Sequence, residues 1–269
     1  MPKVLNQEYL NKCIAVAVCI EARVPVILWG APGQGKTSVL KSFAEQAGRK
    51  LEIILASIRE PQDFAGLPAI SNGTMNLIPP NWAQSLAEDG NGILFADEIN
   101  TAPPSVQAAL LRVCLEKVAG DLELGERTSI VAAANPPEIA ADGWDLAAPL
   151  ANRFCHIDWR LPADVVAEGL LGSWPVISLP AATQDQILQE LAAEAWKLSG
   201  FLMTRQHLST AMPASTGQQG RAFPTPRSWE MVLKLVGTAN AMGLNPEVRR
   251  LLVVGCVGPG AGSEYLAYR

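Results

Sequence analysis

Gly30-Ala31-Pro32-Gly33-Gln34-Gly35-Lys36-Thr37 fits the pattern G-x-x-x-x-G-K-[ST] of a phosphate-binding loop. The apolar run Val26-Ile27-Leu28-Trp29 precedes it and a helical stretch over 37–47 follows, so the motif sits between a strand and a helix as its chemistry requires. Glycines let consecutive backbone N–H groups curl around phosphates, and the N-terminus of the following helix adds a positive dipole. Lys36 can reach β- and γ-phosphates, and the Thr37 hydroxyl is placed for Mg²⁺; Ser38 closes the set of expected nucleotide contacts. At about 7% average Gly usage the pattern arises by chance in roughly one chain in a hundred of this length, before the flanking elements are required. Nucleotide binding is the expectation.

Downstream, Ile93-Leu94-Phe95-Ala96-Asp97-Glu98 places two carboxylates at the end of an apolar strand. With a phosphate loop present, Asp97 suits the Mg²⁺ shell beside Thr37, and Glu98 suits the general base that activates water. A further apolar run, residues 129–134, ends in Asn135-Pro136. Asn135 can hydrogen-bond the attacking water or the γ-phosphate, or serve as a turn residue before proline; both readings stand.

Five compact apolar runs (26–29, 51–56, 93–96, 129–134 and 154–159) alternate with helical or loop segments. Runs without polar alternation suit strands buried on both faces, so the expectation is α/β with a parallel sheet over residues 1–160. Beyond Arg160 the pattern turns helical. Thr183 and Gln186 form a capping box, and Thr225-Pro226 and Asn245-Pro246 read as helix starts. Residues 161–269 are therefore expected to form a small helical domain, with an exposed loop over 209–220 rich in Ser, Thr, Gly, Gln and Pro.

The chain has 269 residues, 49% of them hydrophobic and 17% charged, which is ample for a folded core. The run Ile14–Ile20 ends at Glu21, far short of the ~18 residues of a membrane span, and the first six residues have no signal-peptide shape. A net charge of −5 with no Lys/Arg block argues against nucleic acid as partner. The five cysteines (Cys13, Cys19, Cys114, Cys155, Cys256) form no C-x-x-C pair, and His156 and His207 have no metal-ligand spacing. Buried reduced thiols and a cytoplasmic location are expected.

Taken together, the phosphate loop, Phe95-Ala96-Asp97-Glu98-Ile99-Asn100-Thr101-Ala102-Pro103-Pro104, Ala134-Asn135-Pro136, Leu150-Ala151-Asn152-Arg153-Phe154 and Pro226-Arg227-Ser228-Trp229-Glu230 resemble the MoxR-type AAA+ ATPases over nearly the whole chain. The resemblance implies a P-loop core of five parallel strands with an α-helical lid, assembled as a ring hexamer. It implies that Asp97 and Glu98 are the Walker B pair, Asn135 sensor 1, Arg153 the arginine finger reaching a neighbour's γ-phosphate, and Arg227 sensor 2. ATP rather than GTP rests on this resemblance, as does a chaperone-like role toward a separate partner with a von Willebrand A domain or in inserting a metal cofactor. Independently, Arg227 falls in the first turn of a helix, where a cation opposes the dipole and a nearby anion would relieve it.

Leu67 to Ile78 reads as a hairpin turning at Asn72-Gly73, and 118–128 as a second. Both fall where the resemblance places hairpins near a ring channel, although ordinary surface hairpins explain them equally. Three functions compete. An ATP-hydrolysing remodelling machine leads, a nucleotide-gated assembly scaffold with little turnover is the alternative, and a nucleic-acid motor is disfavoured by the charge.

Overall fold

The structure, a computed structural model, describes residues 6–71, 73–136, 139, 144–172, 174 and 178–269. Asn72, the first residue of the expected hairpin turn, lies outside the described residues, as do the first five. In chain order the first part runs α1 (Gln7–Glu21), β1 (Val26–Trp29), α2 (Lys36–Gln46), β2 (Leu51–Leu55), α3 (Gln62–Ala65), β3 (Leu67–Ser71), β4 (Thr74–Ile78), α4 (Asn81–Asp89) and β5 (Ile93–Asp97). It continues with α5 (Pro104–Glu116), β6 (Val118–Ala119), β7 (Leu122–Glu123), β8 (Ser129–Ala134), α6 (Ala148–Ala151) and β9 (Cys155–Asp158). A helical region follows: α7 (Ala163–Leu170), α8 (Gln184–Thr204), α9 (Thr216–Gln219), α10 (Pro226–Ala241), α11 (Pro246–Val257) and α12 (Pro259–Tyr268).

Five strands form one parallel sheet in the order β2-β5-β8-β1-β9. Because every pairing is parallel, all five carboxyl ends lie along one edge, and the loops that leave them converge there. Period-two alternation sends Val26, Leu28, Phe95, Val131 and Cys155 into one core, and Ile27, Trp29, Leu94, Ala132 and Ala134 into the other. The first core is shared with α1, α2 and the helices α8, α10, α11 and α12; the second with α3, α4, α5 and α6. This is the α/β P-loop fold that the sequence predicts, followed by a helical C-terminal region.

Two expectations need correction. The run 51–56 is not buried on both faces: β2 is an edge strand, Ile53 and Leu55 are exposed, and Ala56 already begins a single 3₁₀ turn. An edge strand has one neighbour and incomplete helix cover, so apolar continuity overstated its burial. The stretch 209–220 is not loop throughout, since α9 forms within it. The capping box of Thr183 with Gln186 and the starts at Thr225 and Asn245 are as expected.

The two hairpins, β3–β4 and β6–β7, are stitched together. Asp121 accepts the Leu77 N–H on Oδ2 at 2.6 Å, and its own N–H donates to the Leu77 carbonyl at 3.3 Å. Gly66, at φ +83°, lies against Gly120, where an added Cβ would sit 2.9 Å from the Gly120 Cα. All five cysteines are free. Cys13, Cys19, Cys155 and Cys256 are buried, and burial pushes the Cys19 and Cys256 thiols up. No helix among the described residues is long and apolar enough to cross a membrane.

Candidate functional site

β1, between β8 and β9, delivers the phosphate loop to the carboxyl edge of the sheet. Gly33 and Gly35 have φ of +77° and +70°, left-handed conformations that side chains resist. Gly35 is the N-cap of α2 and offers no side chain to its first N–H groups, which leaves those donors free for an anion. Gly30 faces a different constraint: a Cβ there would meet the Trp159 carbonyl oxygen at 2.5 Å. From the end of β9, the Trp159 indole donates to the Gln34 carbonyl and the Leu161 N–H to Gln34 Oε1, both at 2.9 Å. The loop is thus held open from outside itself.

Lys36 is buried, and its ammonium donates to the carbonyls of Gly30 at 2.5 Å and Ala31 at 3.2 Å. Burial pulls its pKa down, while the neighbouring Asp97 and Glu98 carboxylates oppose that shift. Thr37 Oγ1 stands 3.4 Å from Asp97 Oδ2. Two adjacent ligands of an octahedral Mg²⁺ at 2.0–2.1 Å lie ~3 Å apart, so this hydroxyl and carboxylate fit one Mg²⁺ shell. Among the described residues no cluster of three or more His, Cys, Asp or Glu side chains could hold a metal ion. That accords with Mg²⁺ chemistry, in which one or two protein groups suffice and phosphates and water supply the rest.

Among the described residues Glu98 is one of three non-glycine residues at positive φ, +56°. A left-handed side-chain residue costs roughly 1 kcal/mol or more and persists only where its surroundings enforce it. Here Thr101 donates twice to the Glu98 carbonyl, from N at 3.1 Å and Oγ1 at 2.8 Å, and the Glu98 N–H donates to Asp97 Oδ1 at 2.9 Å. The carboxylate itself accepts from Ser57 Oγ at 2.9 Å, a residue just past β2. Asn135 leaves β8 between the phosphate loop and Asp97. Its backbone is clamped by Asn100, which accepts the Asn135 N–H at 3.0 Å and donates to the Asn135 carbonyl at 2.8 Å. Sequence reasoning missed Ser57, Asn100 and Trp159. Asn100 carried a signal, lying within the quoted motif two residues after Glu98; Ser57 and Trp159 carried none.

The expected site residues fall into two groups. Lys36, Thr37, Asp97 and Glu98 come together, with Asn135 on the strand between. Arg153 and Arg227 form the second group. Arg153 follows α6 and donates to the Pro149 carbonyl; its Nε is buried without a partner among the described residues. Burial pulls its pKa down, and the cation of Arg227 adds to that. Arg227 is exposed in the first turn of α10, where a cation opposes the helix dipole. Asn152 ties the two segments: Thr225 Oγ1 donates to Asn152 Oδ1 at 2.7 Å, and Asn152 Nδ2 donates to the Phe223 carbonyl at 3.0 Å.

Comparison with known proteins bears on the fold that carries these residues. Residues 25–154 match the family model of the AAA domain (dynein-related subfamily), a span that holds every residue of the first group and ends just past Arg153. The Pathogenicity locus probable regulatory protein WtsA of Pantoea stewartii subsp. stewartii is 29% identical over 121 residues, 42% of this chain and 38% of that protein. Lon protease 2 of Thermus thermophilus is 37% identical over 97 residues, 33% of this chain and 12% of that protein. The chain thus spans well under half the length of either curated relative. A solved structure from Cytophaga hutchinsonii, assigned as an ATPase, superposes with a TM-score of 0.51 at 16% identity, covering 94% of this chain and 82% of that one. That likeness concerns the fold.

Proposed function

We propose that this chain binds Mg-ATP and hydrolyses it as a MoxR-type AAA+ ATPase, in a ring whose subunits complete one another's sites. One observation carries the reading: Lys36, Thr37, Asp97 and Glu98, up to 62 positions apart in sequence, converge where the strands end, with Thr37 Oγ1 and Asp97 Oδ2 at 3.4 Å. In this reading residues 30–38 wrap the phosphates with their amides, and Lys36 neutralises the β- and γ-phosphates. Thr37 and Asp97 would hold Mg²⁺, whose charge would offset that developing on the phosphates. Glu98, steadied by Ser57, takes the proton from the attacking water, and Asn135, fixed through Asn100, orients that water or the γ-phosphate.

In this reading the arginine pair serves a different nucleotide. Asp97 and Glu98 are the charges that act on Lys36, whereas Arg227 is the charge that acts on Arg153. Two guanidiniums side by side are relieved by an anion from outside, and a γ-phosphate bound to a neighbouring subunit supplies one. Arg227 therefore acts with Arg153 across the interface. Residues 161–269 serve as the lid on a core of residues 1–160, and the stitched hairpins carry the nucleotide state to a protein partner. That partner, of the kind bearing a von Willebrand A domain, is remodelled in a chaperone-like manner in the cytoplasm. The hairpin 67–78 contains no charged residue and exposes Leu67, Ile70, Met75 and Ile78, a surface for protein, not for nucleic acid.

The test is the hydrolysis rate per subunit across a hundredfold range of protein concentration, with and without EDTA. The rate climbs with concentration and vanishes without Mg²⁺ if sites are completed by assembly. A flat rate from a protein whose mass stays monomeric overturns completion in trans. Bound ATP with no turnover at any concentration overturns the hydrolase in favour of an assembly scaffold.

A further inference from the structure

We propose that a hydrogen-bond chain, Trp29 to His156 to Ala151, couples the phosphate loop of each subunit to the Arg153–Arg227 pair that the same subunit offers its neighbour. The inference rests on the arginines acting in trans, as argued above. Trp29 is the last residue of β1 and is bonded directly to Gly30. Its indole N–H donates to His156 Nδ1 at 2.9 Å. The two ring centroids are 6.0 Å apart with planes only 12° from parallel, so the rings meet edge to edge and the N–H points along the imidazole lone pair. The second ring nitrogen, Nε2, lies 2.9 Å from the Ala151 carbonyl.

An indole can only donate and a carbonyl can only accept, so both bonds form with one species, the neutral imidazole protonated at Nε2. Burial, helped by the nearby Arg221 cation, holds His156 down to about 4, which keeps that species present at neutral pH. The guanidinium of Arg221 also covers the Trp29 ring at 3.9 Å and is held there by Asp158 at 3.0 Å. Trp29 is therefore fixed at its edge and on its face.

Each end of the chain reaches chemistry. At one end the Lys36 ammonium donates to the Gly30 and Ala31 carbonyls. When that ammonium turns to a phosphate it releases them, and Gly30 is joined to Trp29 by one peptide bond. At the other end Ala151 closes α6, Asn152 follows with its bonds to Phe223 and Thr225, and Arg153 comes next. Thr225 caps α10, which carries Arg227. Both arginines thus hang on the segment that His156 holds. Trp29, His156 and Asn152 are positioning residues: they act through Gly30 and the arginines and touch no substrate.

Three variants break single links. Trp29→Phe keeps a ring and removes the donor; His156→Asn keeps an acceptor near Nδ1 and loses Ala151; His156→Gln reaches Ala151 and loses Trp29. Each is made alone and in an Arg153→Ala background, with ATP affinity, assembly mass and single-turnover hydrolysis measured. ATP affinity is expected to stay within about twofold, and mass unchanged, while the hydrolysis rate falls about five- to tenfold, the scale of one lost hydrogen bond. The Hill coefficient for ATP falls toward one. In the Arg153→Ala background the same substitutions cause no further loss, because the chain works through Arg153. Full additivity in that background overturns the coupling, as does an unchanged rate and Hill coefficient in a folded variant. Loss of fold in all three variants overturns it too, since the bonds are then structural. Arg153→Ala with no effect of its own sinks the trans reading instead, a separate outcome.

Discussion

Glu98 concentrates the chemistry of the site in one side chain whose backbone is held left-handed at φ +56°. Glu98→Gln keeps the size and the Ser57 bond but cannot take a proton. Turnover is expected to fall about 10²–10⁴-fold with ATP still bound, measured by hydrolysis and by equilibrium binding. Ser57→Ala leaves the base in place but unsteadied, so kcat falls about three- to tenfold while ATP affinity holds. Gly30→Ala forces a Cβ to within 2.5 Å of the Trp159 carbonyl and is expected to abolish ATP binding, because the loop must leave its place under β9. Asp97 and Glu98 were legible from the strand that ends in them. Ser57 was not: it lies 41 positions from Glu98, and nothing in an isolated serine says which carboxylate it will meet. His156 also leaves a mark on stability. Its pKa is about 4 in the folded protein against 6.5 free, so between those values only the unfolded chain takes up the proton. Stability is full above pH 6.5 and falls by up to about 3 kcal/mol toward pH 4. A denaturant titration of wild type against His156→Asn over that range isolates this contribution.

Helix α10 shows how an element converts local sequence into site geometry. Thr225 and Ser228 make a reciprocal capping box with Pro226 at the first helical position, all readable from the sequence except the role of Ser228. The Thr225 hydroxyl also donates to Asn152, 73 positions away, and so anchors the helix start to the segment that carries Arg153. Thr225→Ala removes the cap and the anchor together. The expected cost is about 1–2 kcal/mol, a fall in Tm of a few degrees, with the hydrolysis rate dropping further than the stability because both arginines lose their footing. Calorimetry and activity on the same sample separate the two. β2 teaches the opposite lesson. Its apolar run named a strand correctly but said nothing of its edge position, which follows from sheet order alone.

At the scale of the whole molecule, the division of the site between Lys36 with the carboxylates and Arg153 with Arg227 predicts complementation. Lys36→Ala and Arg153→Ala subunits are each expected to turn over far below wild type, the latter by about 10³-fold with a residual rate that single-turnover hydrolysis still reads. In a head-to-tail ring mixed at equal amounts, about a quarter of interfaces join an intact phosphate loop to an intact arginine, and hydrolysis returns to roughly that share. A mixture that stays as slow as its parts, from subunits shown to co-assemble, argues that loop and arginine serve the same chain.

The sequence by itself determined the parts whose chemistry is local. The phosphate loop, the Asp97-Glu98 strand end, the parallel α/β class and the helix caps are written in residues within a turn or two of one another, where spacing sets geometry. How those parts are held depends on contacts between segments far apart in the chain. Ser57 meets Glu98, Asn100 clamps Asn135 and Trp159 props Gln34. Trp29 meets His156 across 127 positions, and Thr225 meets Asn152 across 73. These contacts arise because parallel strands bring distant segments side by side at one edge, and the order of the strands in the sheet is set by packing, not by neighbours in the chain.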